Sequence, residues 1–143
     1  MKKLFTLVFA AITIFASAQT PLTTAVDFTV TDTEGNTHNL FSYLNDNKYV
    51  VIDFFFTTCG PCQAAVPIID SSYEDFGCNT GNVIFLGIDH GDTDADVAQF
   101  KIDYGMQYPA ISGLDGGGDA VCNDYGITGY PCVVLIAPDK TIL

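Results

Sequence analysis

Strands that alternate with helices place this chain in the α/β class, with a largely parallel sheet at its centre. Three observations carry that reading. Tyr49 to Phe56 is an apolar run broken only by Asp53, and Val83 to Asp89 is a second such run. Runs of this kind suit central strands covered on both faces. A helical stretch from "CGPC" (59–62) to about Phe76 lies between them, and "DTDADVAQFKIDYG" (92–105) supplies a second helix after them. With 143 residues the chain is long enough for one domain with a sizeable core.

The elements follow in order. Lys2 and Lys3 precede an apolar run from Leu4 to Ala16, and Ala16-Ser17-Ala18 has the small-x-small form of a signal peptidase site. A membrane anchor is the rival reading. The run is 13 residues long, short of the roughly 20 needed to span a bilayer. Residues 1–18 are therefore expected to be a cleaved leader, leaving 19–143 as a soluble, exported domain in the periplasm or outside the cell. Three lysines then face 17 acidic residues, 3 − 17 = −14, against −12 for the whole sequence. That surface repels nucleic acid and anionic lipid, so neither is expected as a partner.

Val26, Phe28 and Val30 alternate with polar neighbours as a half-buried strand does. "DTEGN" (32–36) is a turn, and Thr37 to Leu40 returns as a second short strand, which makes an N-terminal hairpin. Phe41 to Asn45 reads as a helical turn. In the helix that opens at CGPC, Pro67 removes a backbone donor and Gly77 ends the run. The second helix shows Val97, Phe100 and Tyr104 at helical spacing, with Asp92 as its cap and Gly105 as its stop. "YPAISG" (108–113) is a short strand, Asp119 to Tyr125 a short helix and Val133 to Ala137 a strand. Thr141 onward starts another strand.

Chemistry concentrates at Cys59-Gly60-Pro61-Cys62. Free N–H groups and the dipole at a helix N-terminus stabilise an anion on Cys59. A cysteine of pKa about 8.5 is about 3% thiolate at pH 7, whereas a CxxC cysteine near 7 is about half thiolate. The roughly 16-fold gain in thiolate is offset about fivefold by lower nucleophilicity, so the larger benefit is a better leaving group. Cys62, one turn on, is placed to resolve a mixed disulfide. Zinc would need a second such pair or nearby histidines, and the only histidines are His38 and His90. No metal and no other cofactor is expected. Two more features favour redox chemistry over a structural bridge. Asp53 interrupts an apolar strand, where a carboxylate is costly without work or a partner. Pro131 stands at the entry of a buried strand, a poor place for an ordinary proline.

On these residues the chain resembles the thioredoxin family, through "VIDFFFTTCGPC" and "YGITGYP". The opening segment 26–56, and a long gap between Cys62 and Pro131, look like the exported TlpA/ResA-like redoxins. The resemblance covers about residues 25–143. It implies a thioredoxin-like fold with an N-terminal hairpin and an inserted strand and helix. It also implies that Cys59 and Cys62 are the active pair and Asp53 the buried aspartate that moves their protons. Pro67 is then the helix-kinking proline, and Pro131 the cis-proline that, with Tyr130, Gly60 and Pro61, meets an extended substrate. The function implied is reduction of protein disulfides, with disulfide-containing proteins as substrates and a membrane electron donor. The family has one more strand and a C-terminal helix. The sequence is thus expected to be a C-terminally truncated domain, with one sheet face partly bare.

Several positions depart from the pattern. Thr58 stands where the family usually has tryptophan, and Ala65 where TlpA-like members often carry glutamate. Asp53 replaces a frequent asparagine of those members, and Cys132 replaces the usual threonine. These bear on redox potential and substrate. Cys132 is expected to behave as a small apolar residue. Cys78 and Cys122 are expected either to pair, closing a loop of about 45 residues worth roughly 3–4 kcal/mol if unstrained, or both to stay free.

Three other readings compete. A peroxiredoxin wants Thr or Ser three residues before its cysteine and an arginine beside it, but Phe56 is there and the sequence has no arginine. "DTDADV" (92–97) with Asp103 has the acids of a calcium loop, but Val97 occupies the glycine position, and a helix start explains the acids better. A non-catalytic exported structural or binding module with a vestigial CGPC is the third.

Overall fold

The computed structural model describes residues 20–143; the expected leader lies outside them. The hairpin is there, in shorter strands than the alternation suggests: β1 (Thr29–Thr31) pairs antiparallel with β2 (Thr37–Asn39). A buried network at its turn explains the clipping. Asp32 accepts the N–H groups of Glu34 and Asn36, and its Oδ2 lies 2.9 Å from His38 Nε2. His38 Nδ1 lies 2.7 Å from the Tyr43 hydroxyl. Asn39 caps α1 (Leu40–Asn45) through the Ser42 N–H.

The main sheet follows. β3 (Tyr49–Phe55) leads into α2 (Gly60–Asp75), and β4 (Val83–Asp89) into α3 (Asp94–Tyr104). Then come β5 (Ala110–Ile111), α4 (Gly118–Asp124) and β6 (Cys132–Ile136). The sheet order is β5-β4-β3-β6, with β3–β4 and β4–β5 parallel and β6 antiparallel to β3. Strand β6 is followed by isolated bridges, Thr24 with Thr141 and Ile136 with Ile142, in place of the strand read from Thr141.

Successive strand residues point to opposite faces, and the two faces fill separately. One holds Val50, Ile52, Phe54, Leu86 and Ile88 with Leu40, Val121, Cys122 and Tyr125. The other holds Phe55 and Phe85 with Val66, Val97, Phe100, Tyr108 and both Cys59 and Cys62. On β6, Cys132, Val134 and Ile136 are buried while Val133 and Leu135 are exposed. Ile68 and Phe76 of the neighbouring helix region are also exposed, so this end of one sheet face is partly bare. Among the described residues no helix is long and apolar enough to cross a membrane.

One reading needs correction, and one open alternative is decided. The cap of α3 is Thr93, not Asp92. Thr93 and Asp96 form a reciprocal capping box, while the Asp92 carboxylate accepts the Thr57 N–H at 2.8 Å. The acids of 92–97 thus serve a helix start and a loop tether. Cys78 and Cys122 are both unpaired, Cys78 exposed and Cys122 buried. Cys78 follows the end of α2, on one side of the sheet, whereas Cys122 sits in the core of the other.

Candidate active site

Strand β3 delivers its end to the N-terminus of α2, and Cys59 caps that helix: the Cys62 N–H donates to Cys59 Sγ at 3.1 Å. The first turn has no acidic side chain, so nothing there opposes the helix dipole at the sulfur. Cys59 and Cys62 are bonded to each other, with Cα atoms 5.2 Å apart. Both are buried, while Gly60 and Pro61 between them are exposed. Pro67 lies inside α2, one face out to solvent.

The turn before the cysteines is held from two sides. Asp92 takes the Thr57 N–H, and Gln63 of α2 donates to the Thr57 carbonyl at 2.9 Å. Thr58 is exposed, where the family pattern has a large ring. Across the site the Tyr130–Pro131 bond is cis. The Tyr130 ring packs against the cysteine cluster and meets Phe56 edge-on at 5.4 Å and His90 face-on at 5.8 Å. His90 in turn bonds Asp119 at 2.8 Å. Cys132 follows Pro131, buried, and burial pushes its thiol up.

Asp53 shares a strand face with Val51 and Phe55, which puts it on the cysteine side of the sheet. It is 3% exposed. Burial pushes its carboxyl up to about 6, against the opposing pull of a hydrogen bond from Tyr108. That bond, Tyr108 Oη to Asp53 Oδ2 at 2.7 Å, joins residues that sequence reasoning had not connected; Tyr108 had only been read as part of a strand. Asp89, at the end of β4, is a second buried carboxyl, pushed up to about 7 chiefly by burial. Its Oδ2 accepts the N–H groups of Asp92 and Gly113. Burial also drives the Cys122 thiol up to about 12, which makes it a poor nucleophile. Among the described residues no group of His, Cys, Asp or Glu is arranged to hold a metal ion.

The arrangement can interconvert a dithiol and a disulfide, with a buried carboxyl on the same side of the sheet. Comparison with known proteins bears on which proteins use it. The AhpC/TSA family description matches residues 21–143. The thiol-disulfide oxidoreductase ResA of Geobacillus thermodenitrificans is 30% identical over 113 residues, 79% of this chain. The chain spans only 61% of that relative's length. Among solved structures, the thioredoxin domain of a thiol-disulfide oxidoreductase from Bacteroides vulgatus superposes with a TM-score of 0.72 at 22% identity. It covers 88% of this chain and 86% of that one. A putative protein disulfide isomerase from Bacteroides thetaiotaomicron gives 0.70 at 28% identity, covering 85% of this chain and 74% of that one. The fold is thioredoxin-like.

Proposed function

The chain belongs to the AhpC/TSA family, and from that premise we propose that it is a thiol-disulfide oxidoreductase that reduces protein disulfides. The observation that carries the reading is Cys59 at the cap of α2, its sulfur facing the Cys62 N–H and bonded to Cys62. ResA and the two structural relatives bear names of the same chemistry.

In the reduced enzyme the Cys59 thiolate attacks one sulfur of a substrate disulfide. A mixed disulfide forms and the other substrate sulfur leaves as a thiolate. Cys62 then gives its proton to Asp53 and attacks Cys59 Sγ, which releases the second substrate thiolate. Two electrons have passed to the substrate, and the Cys59–Cys62 disulfide is the enzyme's product state. Tyr130 and Pro131, with the exposed Gly60 and Pro61, flank the sulfurs and offer backbone to an extended substrate segment. No metal or organic cofactor enters these steps.

Export to the periplasm after cleavage of residues 1–18, and regeneration by a dithiol donor in the membrane, complete the proposal. The leader-like run supports the first. Pro61 and the buried Asp53 support the reducing direction. The test is dithiothreitol-driven insulin reduction. The wild-type chain accelerates it and Cys59→Ser does not; full activity in that variant would remove Cys59 from the role. Hydrogen peroxide consumption in the same buffer separates a thiol peroxidase, and titration of the pair against glutathione reads the direction.

A further inference from the structure

We propose that Tyr108 is a positioning residue for the proton step at Cys62: it occupies one oxygen of Asp53 and leaves the other free to exchange a proton with the cysteine. The inference rests on the role given to Asp53 above and adds the residue that sets it.

The hydroxyl of Tyr108 donates to Asp53 Oδ2 at 2.7 Å, both side chains being buried. The other oxygen, Oδ1, is buried with no partner. Most buried carboxylate oxygens are filled, and leaving one empty is costly; among the described residues Asp89 Oδ1, on the loop side of β4, is the other such atom. A half-satisfied carboxyl on the cysteine side of the sheet is the form a proton acceptor needs.

Two features of the fold exist to bring Tyr108 there. Gly87 lies beside Asp53 in the β3–β4 register. A Cβ at Gly87 would stand 2.9 Å from Met106 Cε and 3.2 Å from Tyr108 Cε2, so the tyrosine ring crosses β4 where a side chain would otherwise be. Asp70 of α2 accepts the N–H of Gln107, the residue before Tyr108, at 3.0 Å. The helix that carries Cys62 therefore also fixes the backbone that carries Tyr108.

The groups around Asp53 are few. Tyr108 faces it from the segment before β5; the Cys59–Cys62 pair lies on the same side of the sheet, and Cys132 of β6, on the opposite face, feels its charge. Asp70 acts on Tyr108 from α2, and β4 contributes only Gly87 at this register. None of these is a cation. The phenol is thus the group that favours the ionised carboxyl against burial.

The proton and electron count is that of the resolving step. The Cys62 thiol loses H⁺ to Asp53 Oδ1 as its sulfur bonds to Cys59; the Cys59–substrate bond breaks and the pair of electrons leaves on the substrate sulfur. If Tyr108 is removed, the carboxyl holds its proton more tightly and accepts another only at higher pH.

The experiment is the pH profile, from 4.5 to 9, of insulin reduction by the pre-reduced full chain, for wild type, Tyr108→Phe and Asp53→Asn. Tyr108→Phe should move the midpoint of the acid limb up by about one pH unit, about tenfold in rate below it, with little change at pH 9. Gly87→Ala, which crowds Met106, Phe55 and the Tyr108 ring, should shift it the same way and serves if Tyr108→Phe fails to fold. A uniform loss at every pH, or an unshifted limb that Asp53→Asn nevertheless abolishes, overturns the inference alone. An acid limb that survives Asp53→Asn removes Asp53 from the step, and the inference with it.

Discussion

Replacing Asp53 by asparagine should stabilise the oxidised protein at neutral pH relative to acid pH. The carboxyl's ordinary value is 3.8, and burial raises it to about 6 in the fold. A raised acid favours the protonated form in the native state. The native carboxylate is therefore a liability that is absent below about 4, grows between 4 and 6, and is complete above 6. At about 1.4 kcal/mol per pH unit, moving from 3.8 to about 6 corresponds to about 3 kcal/mol. The asparagine has no such dependence. Its amide does bring its own unpaired N–H, which adds a constant offset, but a constant cannot change with pH. Urea unfolding of both oxidised proteins at pH 3.5, 5, 6.5 and 8 gives the difference directly. The stability of Asp53→Asn minus that of wild type should rise by about 3 kcal/mol from the lowest to the highest pH. A difference that stays flat, or falls, would refute both the buried carboxylate's penalty and the acidity assigned to it. Activity should move the other way, since the asparagine accepts no proton.

The remaining predictions are local. Asp32→Asn should destabilise the hairpin by about 2 kcal/mol at pH 7, because Asp32 is 2% exposed and holds His38 and two backbone N–H groups. Burial is the largest single effect on its carboxyl and raises it, but those hydrogen bonds and the His38 charge together outweigh it and hold the carboxyl below the ordinary 3.8, so the difference should fade as pH drops below that value; thermal melts at pH 7 and pH 2.5 check it. Native, non-reduced protein should take an alkylating label at Cys78 alone, with Cys122 and Cys132 labelled only after unfolding; a mass spectrum showing Cys78 protected would contradict the unpaired state.

What could be read from the sequence divides along the range of the interaction that decides it. Strands β3 and β4 are long apolar runs, and a run needs no partner to be recognised. The N-terminus of α2 follows from Cys59 to Pro61, and the end of α3 from Gly105, whose φ of 74° suits glycine. These are local facts. The cap of α3 was misread by one residue because Asp92 and Thr93 are both good caps. The choice between them is made by Thr57, 35 residues earlier, whose N–H claims the Asp92 carboxylate. The pairing of Cys78 and Cys122 stays open in the sequence for a related reason. A spacing of two residues in CGPC bounds the distance between sulfurs, but the loop from Cys78 to Cys122 bounds nothing, and the sheet between them puts them on different faces. Tyr108 is the furthest case. Its bond to Asp53 crosses 55 residues and depends on the register that sets Gly87 beside Asp53. A lone glycine in "FLGID" and a lone tyrosine in "QYPAI" carry no sign of each other in one sequence. The sequence did show the question, a carboxylate in an apolar strand that needs a partner or work. Only the packed sheet shows how it is held: a partner on Oδ2, and on Oδ1 an oxygen left over.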